Sequence, residues 1–122
     1  MDTGLANKVA LVCASTAGLG LASAKGLAAE GAHVVISGRR GDLATEIAKS
    51  LPKAIGVEVD LAIAGSAEKL ITTTKSKLGA PDILILNSGG PKPGSAASVT
   101  RAQYLEALEY ICLLYTSDAA DE

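Results

Sequence analysis

The chain has 122 residues, which is long enough for one small domain with its own core. Its formal net charge is −2 at pH 7. This charge gives no sign of a surface for nucleic acid or anionic membranes, and no apolar run approaches the ~20 residues that span a bilayer. Residues 1–4 lack the features of a signal peptide, and Cys13 and Cys112 form no spacing pattern, so we expect a cytoplasmic protein with reduced thiols.

The first predicted elements are a buried strand over residues 9–14 and a helix over residues 18–30, joined by a small polar turn. Strand, glycine turn and helix is the layout that brings backbone N–H groups and a helix N-terminus to a phosphate. A side chain at Gly18 or Gly20 would block a pyrophosphate or keep the helix away from its strand. The turn is therefore a candidate nucleotide site, although its glycines alone are a weak signal.

The rest of the chain alternates between strands and helices. Apolar runs predict strands over residues 33–37, 54–60 and 82–87, with helices over residues 42–51, over residues 64–78 and from near residue 100. We expect Gly31 to end the first helix, Asp42 to cap the second, and Ser66 or a neighbour to cap the third. This alternation predicts an α/β fold: a Rossmann-type parallel sheet with helices on both faces and strand order 3-2-1-4, truncated after the fourth strand.

Basic residues follow the second predicted strand at its carboxyl end, which is where open parallel sheets bind ligands. Arg39 and Arg40 lie there with no acidic residue beside Gly38. This arrangement favours the 2′-phosphate of NADP over the ribose hydroxyl of NAD. A solvated charged turn is the alternative interpretation.

Polar residues also follow the third and fourth strands. Asp60 is placed to accept a hydrogen bond from adenine, or to cap a turn or the next helix. The glycines of the sequence Asn87, Ser88, Gly89, Gly90 let the backbone lie against a ribose or a ring, and Asn87 is placed to tie neighbouring strands together. An ordinary strand-to-loop turn is the alternative. The placement of all these features at one sheet edge favours a dinucleotide site.

The motifs resemble the N-terminal half of the short-chain dehydrogenase/reductase family over about residues 5–111. The family's cofactor turn, Thr-Gly-x-x-x-Gly-x-Gly, corresponds to residues 13–20, and its Asn-Asn-Ala-Gly element corresponds to residues 87–90. Gly38 stands where members that prefer NAD carry Asp. The resemblance implies that these residues bind the cofactor: Ala14, Ser15, Thr16, Gly18, Leu19, Gly20, Arg39, Arg40, Asp60, Leu61, Asn87, Ser88, Gly89 and Gly90.

Two departures from the family pattern shape the expectations. Ala14 replaces the first glycine of the turn, and its methyl group is tolerated if the backbone there stays at negative φ. The family's catalytic Ser and Tyr-x-x-x-Lys lie beyond the fourth strand, and Tyr104, Tyr110 and Tyr115 each lack a lysine four residues later. The resemblance thus implies an NADP-dependent carbonyl reductase or alcohol dehydrogenase, of which this chain binds the cofactor without catalysing.

The resemblance also implies a substrate and an assembly for the full-length parent. The substrate would be a small carbonyl or alcohol, as in 3-oxoacyl-carrier-protein reductases or glucose dehydrogenases, and the parent would be a homo-oligomer that binds neither nucleic acid nor membrane. No catalytic residue and no metal ligand is assigned in this chain. A non-catalytic nucleotide-sensing or flavodoxin-like module is the alternative, and a downstream Ser and Tyr-x-x-x-Lys would discriminate between the two.

The last residues differ in character from the rest. Residues 112–122 resemble the translation of an adapter used to prepare DNA sequencing libraries. We therefore expect residues 1–111 to form a partial NAD(P)-binding domain and residues 112–122 to be a non-native tail. A natural acidic tail is the alternative.

Overall fold

The computed structural model describes residues 2–88 and 94–111, with the side chains of the last helix described as far as residue 108. Within these residues the strands are β1 (Val9–Val12), β2 (His33–Gly38), β3 (Ala54–Glu58) and β4 (Ile83–Ile85), and the helices are α1 (Gly18–Ala29), α2 (Gly41–Lys49), α3 (Ser66–Lys77) and α4 (Arg101–Ile111). All pairings are parallel and the sheet order is β3-β2-β1-β4. The predicted order is confirmed, and it differs from the flavodoxin-like order, in which the first and third strands are neighbours.

The strands are shorter than the apolar runs that predict them. β1 ends at Val12 because the chain turns at Ala14, whose φ is 48°. β3 ends at Glu58, ahead of a turn that begins at Asp60, and β4 covers only Ile83–Ile85. Each strand therefore stops where its backbone bends toward the carboxyl edge of the sheet, although the apolar sequence continues.

The helix termini agree only in part with the sequence prediction. Gly31 follows α1 with φ of 91°, as expected of a left-handed C-terminal glycine. The predicted cap of α2 is wrong: Arg40 is the N-cap, and Asp42 lies inside the first turn, where its charge favours the helix dipole. α3 begins at Ser66, and its N-cap is the neighbouring Gly65, which has no side chain to cap with.

α4 begins with a reciprocal capping box, close to the position that the sequence predicts. The Gln103 N–H donates to Thr100 Oγ1 at 3.2 Å, and the Thr100 N–H donates to Gln103 Oε1 at 2.8 Å. The apolar side chains of this helix, Tyr104, Leu105 and Leu108, are exposed.

Side chains that alternate along the strands divide the core into two layers. One layer packs β1 and β2 against the small residues of α1 and α2, and its buried members are Ala10, Val12, Ala24, Ala28, Ala32, Val34, Ile36, Ala44 and Ala48. The other layer lies beneath α3, with Leu11, Val35, Leu70 and Ile71 at its centre. Helices thus cover both faces of the sheet. None of the described helices combines the length and the apolarity that a membrane span needs.

Candidate cofactor-binding site

The turn from β1 to α1 starts with a residue in an unfavourable backbone conformation. Ala14 has φ of 48°, in the left-handed region, so the condition for tolerating its methyl group without strain, a negative φ, is not met. The conformation is held because the Ala14 carbonyl accepts a hydrogen bond from Asn87 Nδ2 at 3.3 Å and the next residue is fixed beneath β2. A left-handed alanine costs about 1 kcal/mol relative to an ordinary conformation.

Replacing Ala14 by glycine should therefore raise the free energy of unfolding by about 0.5–1 kcal/mol, because the strain is removed. Urea unfolding followed by circular dichroism measures this change. Ala22→Gly, at an exposed position inside α1, is the control and should lower the free energy of unfolding by about 1 kcal/mol. A loss of stability in both variants would contradict the strain at Ala14.

Ser15 and Ser37 connect the carboxyl ends of β1 and β2 through a buried hydrogen-bond network. The Ser15 N–H donates to the Ser37 carbonyl at 2.8 Å, and the Ser37 N–H donates to Ser15 Oγ at 2.8 Å. Both hydroxyls donate to the Val12 carbonyl, at 2.9 Å from Ser15 and 2.7 Å from Ser37. The side chain of Ser15, one of the predicted cofactor-binding residues, is fully buried and hydrogen-bonds within the scaffold that shapes the turn.

The two glycines of the turn have different roles. Gly18 has φ of 58° and open space around it, so its backbone leaves room for an approaching group. A methyl group on Gly20 would lie 2.2 Å from the Ala14 oxygen and 2.9 Å from Asn87 Nδ2, so this glycine lets α1 approach the turn. Leu19, between the two glycines, is exposed, and Thr16, two residues before Gly18, is half-buried.

The N-terminus of α1 is suited to an anion. Its N-cap, Ala17, makes no side-chain hydrogen bond to the helix. The N–H groups of a first helical turn have no partner within the helix, and they attract negative charge together with the helix dipole. A pyrophosphate is therefore an appropriate ligand for this end of the helix.

Two exposed arginines follow β2 beside this turn. Arg40 Nε lies 4.0 Å from Asp42 Oδ1, with the two side chains 71% and 81% exposed. Such an exposed pair contributes little stability, so it does not compete strongly with a ligand. Arg39 is also exposed, so two exposed arginines follow β2 at its carboxyl end.

Asp60 forms the turn that follows β3. Its Oδ1 accepts the Ala62 N–H at 3.0 Å and its carbonyl accepts the Ile63 N–H at 3.1 Å. The structure thus realises the turn-capping alternative with one carboxylate oxygen. The half-buried Leu61 packs into the core layer beneath α3.

Asn87 ties the end of β4 to β1. In addition to its bond to Ala14, its backbone N–H contacts the thiol of Cys13. Burial raises the pKa of Cys13 to about 11, and the Asn87 N–H opposes part of this shift. The thiol therefore stays protonated at neutral pH and is not a nucleophile. Ser88 is half-buried, whereas Gly89 and Gly90 lie outside the described residues.

The parallel sheet brings the four strand ends to one edge, as the sequence predicts. The sequence does not single out Ser37, which is buried and stabilises the turn through its hydrogen bonds. A polar residue inside an apolar strand is the feature that points to it. Sequence reasoning also missed the contact between Asn87 and Cys13. In the described part of the chain, no group of three or more His, Cys, Asp or Glu side chains is placed to hold a metal ion.

Comparisons with known proteins agree with this geometry. The family model for short chain dehydrogenases matches residues 8–111. Dehydrogenase/reductase SDR family member 4 from Homo sapiens is 37% identical over 110 residues, which cover 86% of this chain and 40% of that protein. Meso-2,3-butanediol dehydrogenase from Serratia marcescens is 35% identical over 91 residues, which cover 73% of this chain and 36% of that protein. The chain thus spans less than half the length of these relatives.

A solved structure gives the same result for the fold. L-sorbose reductase from Gluconobacter frateurii, in complex with NADPH and L-sorbose, matches with a TM-score of 0.86 and 30% sequence identity. The match covers 95% of this chain and 46% of that one. The family match over most of the chain, together with these relatives, shows that the chain belongs to the short-chain dehydrogenase family.

Proposed function

We propose that this chain is the cofactor-binding part of an NADP-dependent oxidoreductase that interconverts a carbonyl and an alcohol on a small molecule. The observation that carries the proposal is the exposed pair Arg39 and Arg40, directly after β2 and next to the uncapped N-terminus of α1. Membership of the family supports a nicotinamide dinucleotide, and a relative of similar structure was solved with NADPH.

The charge at this edge favours the phosphorylated dinucleotide. Guanidinium groups bind phosphate oxygens through charge-assisted and often bidentate hydrogen bonds. β2 ends in Ser37 and Gly38, so β2 itself contributes no carboxylate to accept a ribose 2′-hydroxyl proton or to repel a 2′-phosphate. The carboxylates of Glu58, opposite Gly38 in β3, and of Asp42, beside Arg40, belong to neighbouring elements. We assign the 2′-phosphate to Arg39 and Arg40.

The remaining residues fit the rest of the dinucleotide. The open space at Gly18 and the free N–H groups of α1 accommodate a pyrophosphate. Asp60 keeps one carboxylate oxygen beyond the one that its turn uses, and we assign it to the adenine amino group. The segment that begins at Asn87 is assigned to the ribose side. NADPH supplies a hydride when bound, and the described residues bind and orient it.

Proton transfer is assigned to residues outside this chain, because none of Tyr104, Tyr110 and Tyr115 is followed by lysine at the fourth position. We propose that the chain by itself binds NADPH without turnover. We further propose that the complete protein is a cytoplasmic homo-oligomer that acts on a small carbonyl or alcohol and binds neither nucleic acid nor membrane. Oxidation of NADPH by this chain in the presence of a panel of ketones would contradict the first of these proposals.

Removal of both arginines tests the assignment of the 2′-phosphate. In titrations of the 122-residue chain followed by calorimetry, Arg39→Ala with Arg40→Ala should weaken NADPH binding by about ten- to a hundredfold, while NADH binding changes by less than about twofold. The reason is that only NADPH carries the phosphate that these cations contact.

The matched control removes two other exposed cations, Lys25→Ala with Lys49→Ala, on α1 and at the end of α2. Its NADPH affinity should stay close to that of the wild-type chain. If the arginine variant and the lysine variant lost affinity equally, net charge and not a phosphate contact would be responsible. If the wild-type chain bound neither dinucleotide, the proposed function itself would be rejected.

A further inference from the structure

We propose that Thr16 is a specificity-determining residue of this site. Its side chain occupies the space that a side chain at position 38 would need. The end of β2 therefore cannot accept the acidic residue that selects NAD. This inference rests on the proposed function, since it concerns which dinucleotide the edge accepts.

The backbone does not require glycine at position 38. Gly38 is the last residue of β2, and its φ lies outside the left-handed region. The requirement comes from space: a Cβ on Gly38 would lie 2.8 Å from Thr16 Cγ2 and 3.2 Å from Thr16 Oγ1. Thr16 is thus the reason that no side chain fits at this position.

The backbones on both sides of the contact are fixed. Thr16 and Gly38 each follow a serine of the buried network, and Ser15 and Ser37 exchange two hydrogen bonds of 2.8 Å. Gly38 is held on its other side as well, because its carbonyl accepts the Val59 N–H at 2.8 Å. Moving either segment away to make room would lengthen these bonds.

Rotation of the Thr16 side chain relieves the overlap only in part. Threonine carries two heavy atoms and one hydrogen on Cβ, and these substituents occupy three staggered positions. Two of the three positions face residue 38, at 2.8 and 3.2 Å from the added Cβ. Since only one substituent is hydrogen, every rotamer leaves at least one heavy atom against a new side chain.

The chemical consequence is a choice between ligands. A carboxylate at the end of the second strand accepts a hydrogen bond from a ribose 2′-hydroxyl and repels a 2′-phosphate. Thr16 keeps that carboxylate out, while Arg39 and Arg40 attract the phosphate. Selectivity against NAD therefore has two sources: Thr16 excludes a carboxylate at position 38, and the two arginines attract the 2′-phosphate.

The contact is tested first without any ligand, by urea unfolding of a double-mutant cycle. Gly38→Ala should lower the midpoint by about 0.5 M or more, and Thr16→Ala should recover at least half of that loss in the double variant. Gly26→Ala is the control, because a Cβ there meets open space and its effect should be the same with either residue at 16. Equal effects of Gly38→Ala in both backgrounds would overturn the contact.

Should Gly38→Ala fail to fold, a folded double variant would support the contact and an unfolded one would overturn it.

The role in specificity is tested with NADH and NADPH as probes. Gly38→Asp alone should weaken NADPH binding by about tenfold without strengthening NADH binding, since its Cβ displaces the turn. Thr16→Ala with Gly38→Asp should bind NADH at least about tenfold more tightly than Gly38→Asp alone. If Gly38→Asp alone bound NADH as tightly as the double variant, the role of Thr16 would be overturned while the proposed function stood. If the wild-type chain bound neither NADH nor NADPH, both the proposed function and the specificity role of Thr16 would be rejected. The double-mutant cycle in urea would still test the contact between Thr16 and residue 38.

Discussion

Replacing Gly20 by alanine should lower the free energy of unfolding by about 3 kcal/mol or more. The added methyl group would lie 2.2 Å from the carbonyl oxygen of Ala14, 2.9 Å from its carbonyl carbon and 2.9 Å from Asn87 Nδ2. Two of these atoms are backbone, so a side-chain rotation cannot relieve the overlap. α1 would have to move away from β1, and the bond between Asn87 and Ala14 would be lost.

The measurement is urea unfolding of the purified chain, with Gly26→Ala as the matched substitution in the same helix. Because a methyl group on Gly26 meets open space, that variant should be as stable as the wild-type chain or more stable by up to about 1 kcal/mol. A Gly20→Ala variant within about 1 kcal/mol of the wild-type chain would show that the turn is looser than the structure indicates.

Replacing Gly56 by alanine should lower the free energy of unfolding by a similar amount, about 3 kcal/mol. Gly56 lies in β3, where α2 packs on the sheet. A Cβ there would lie 2.5 Å from the Thr45 nitrogen, 2.6 Å from the Ala44 carbonyl carbon and 2.7 Å from the Ala44 oxygen. All three atoms belong to the backbone of α2, which packs directly on β3 at this point. The helix would have to lift from the strand and expose the alanines that it buries.

Hydrogen exchange of the α2 amides distinguishes this effect from that of Gly20→Ala. In Gly56→Ala the amides of α2 should lose protection more than those of α1, because the overlap is confined to the contact with α2. Unfolding by urea gives the total loss. A variant with wild-type stability would show that α2 does not depend on this close approach, since alanine is otherwise better suited than glycine to a strand.

The strand order could be derived from the sequence because the physics behind it is general. Short apolar runs separated by helices require parallel pairing through right-handed crossovers, and few arrangements satisfy that rule. Arg39, Arg40 and Asp60 could be placed at one edge for the same reason, since parallel strands all end on the same side. These deductions need only the order of the elements along the chain.

The sequence is a poorer guide where three-dimensional contacts decide the local conformation. An alanine by itself favours negative φ, yet Ala14 adopts a left-handed conformation between the buried serine network and Asn87. Ser15 has a residue type common in exposed turns, but it is fully buried and hydrogen-bonded to Ser37. Asp42 is a good capping residue by type, and α2 starts one residue before it. No spacing rule predicts these long-range partners.

The buried network of Ser15 and Ser37 has a consequence for kinetics. Because these bonds join serine hydroxyls to backbone groups at the ends of β1 and β2, the shape of the proposed anion-binding turn is set by contacts within the protein itself. We therefore expect the proposed dinucleotide to associate without a slow rearrangement of this turn, at a rate set by diffusion and by the electric field of the two arginines. Variants of the exposed side chains that differ in affinity should accordingly differ mainly in the dissociation rate of the complex.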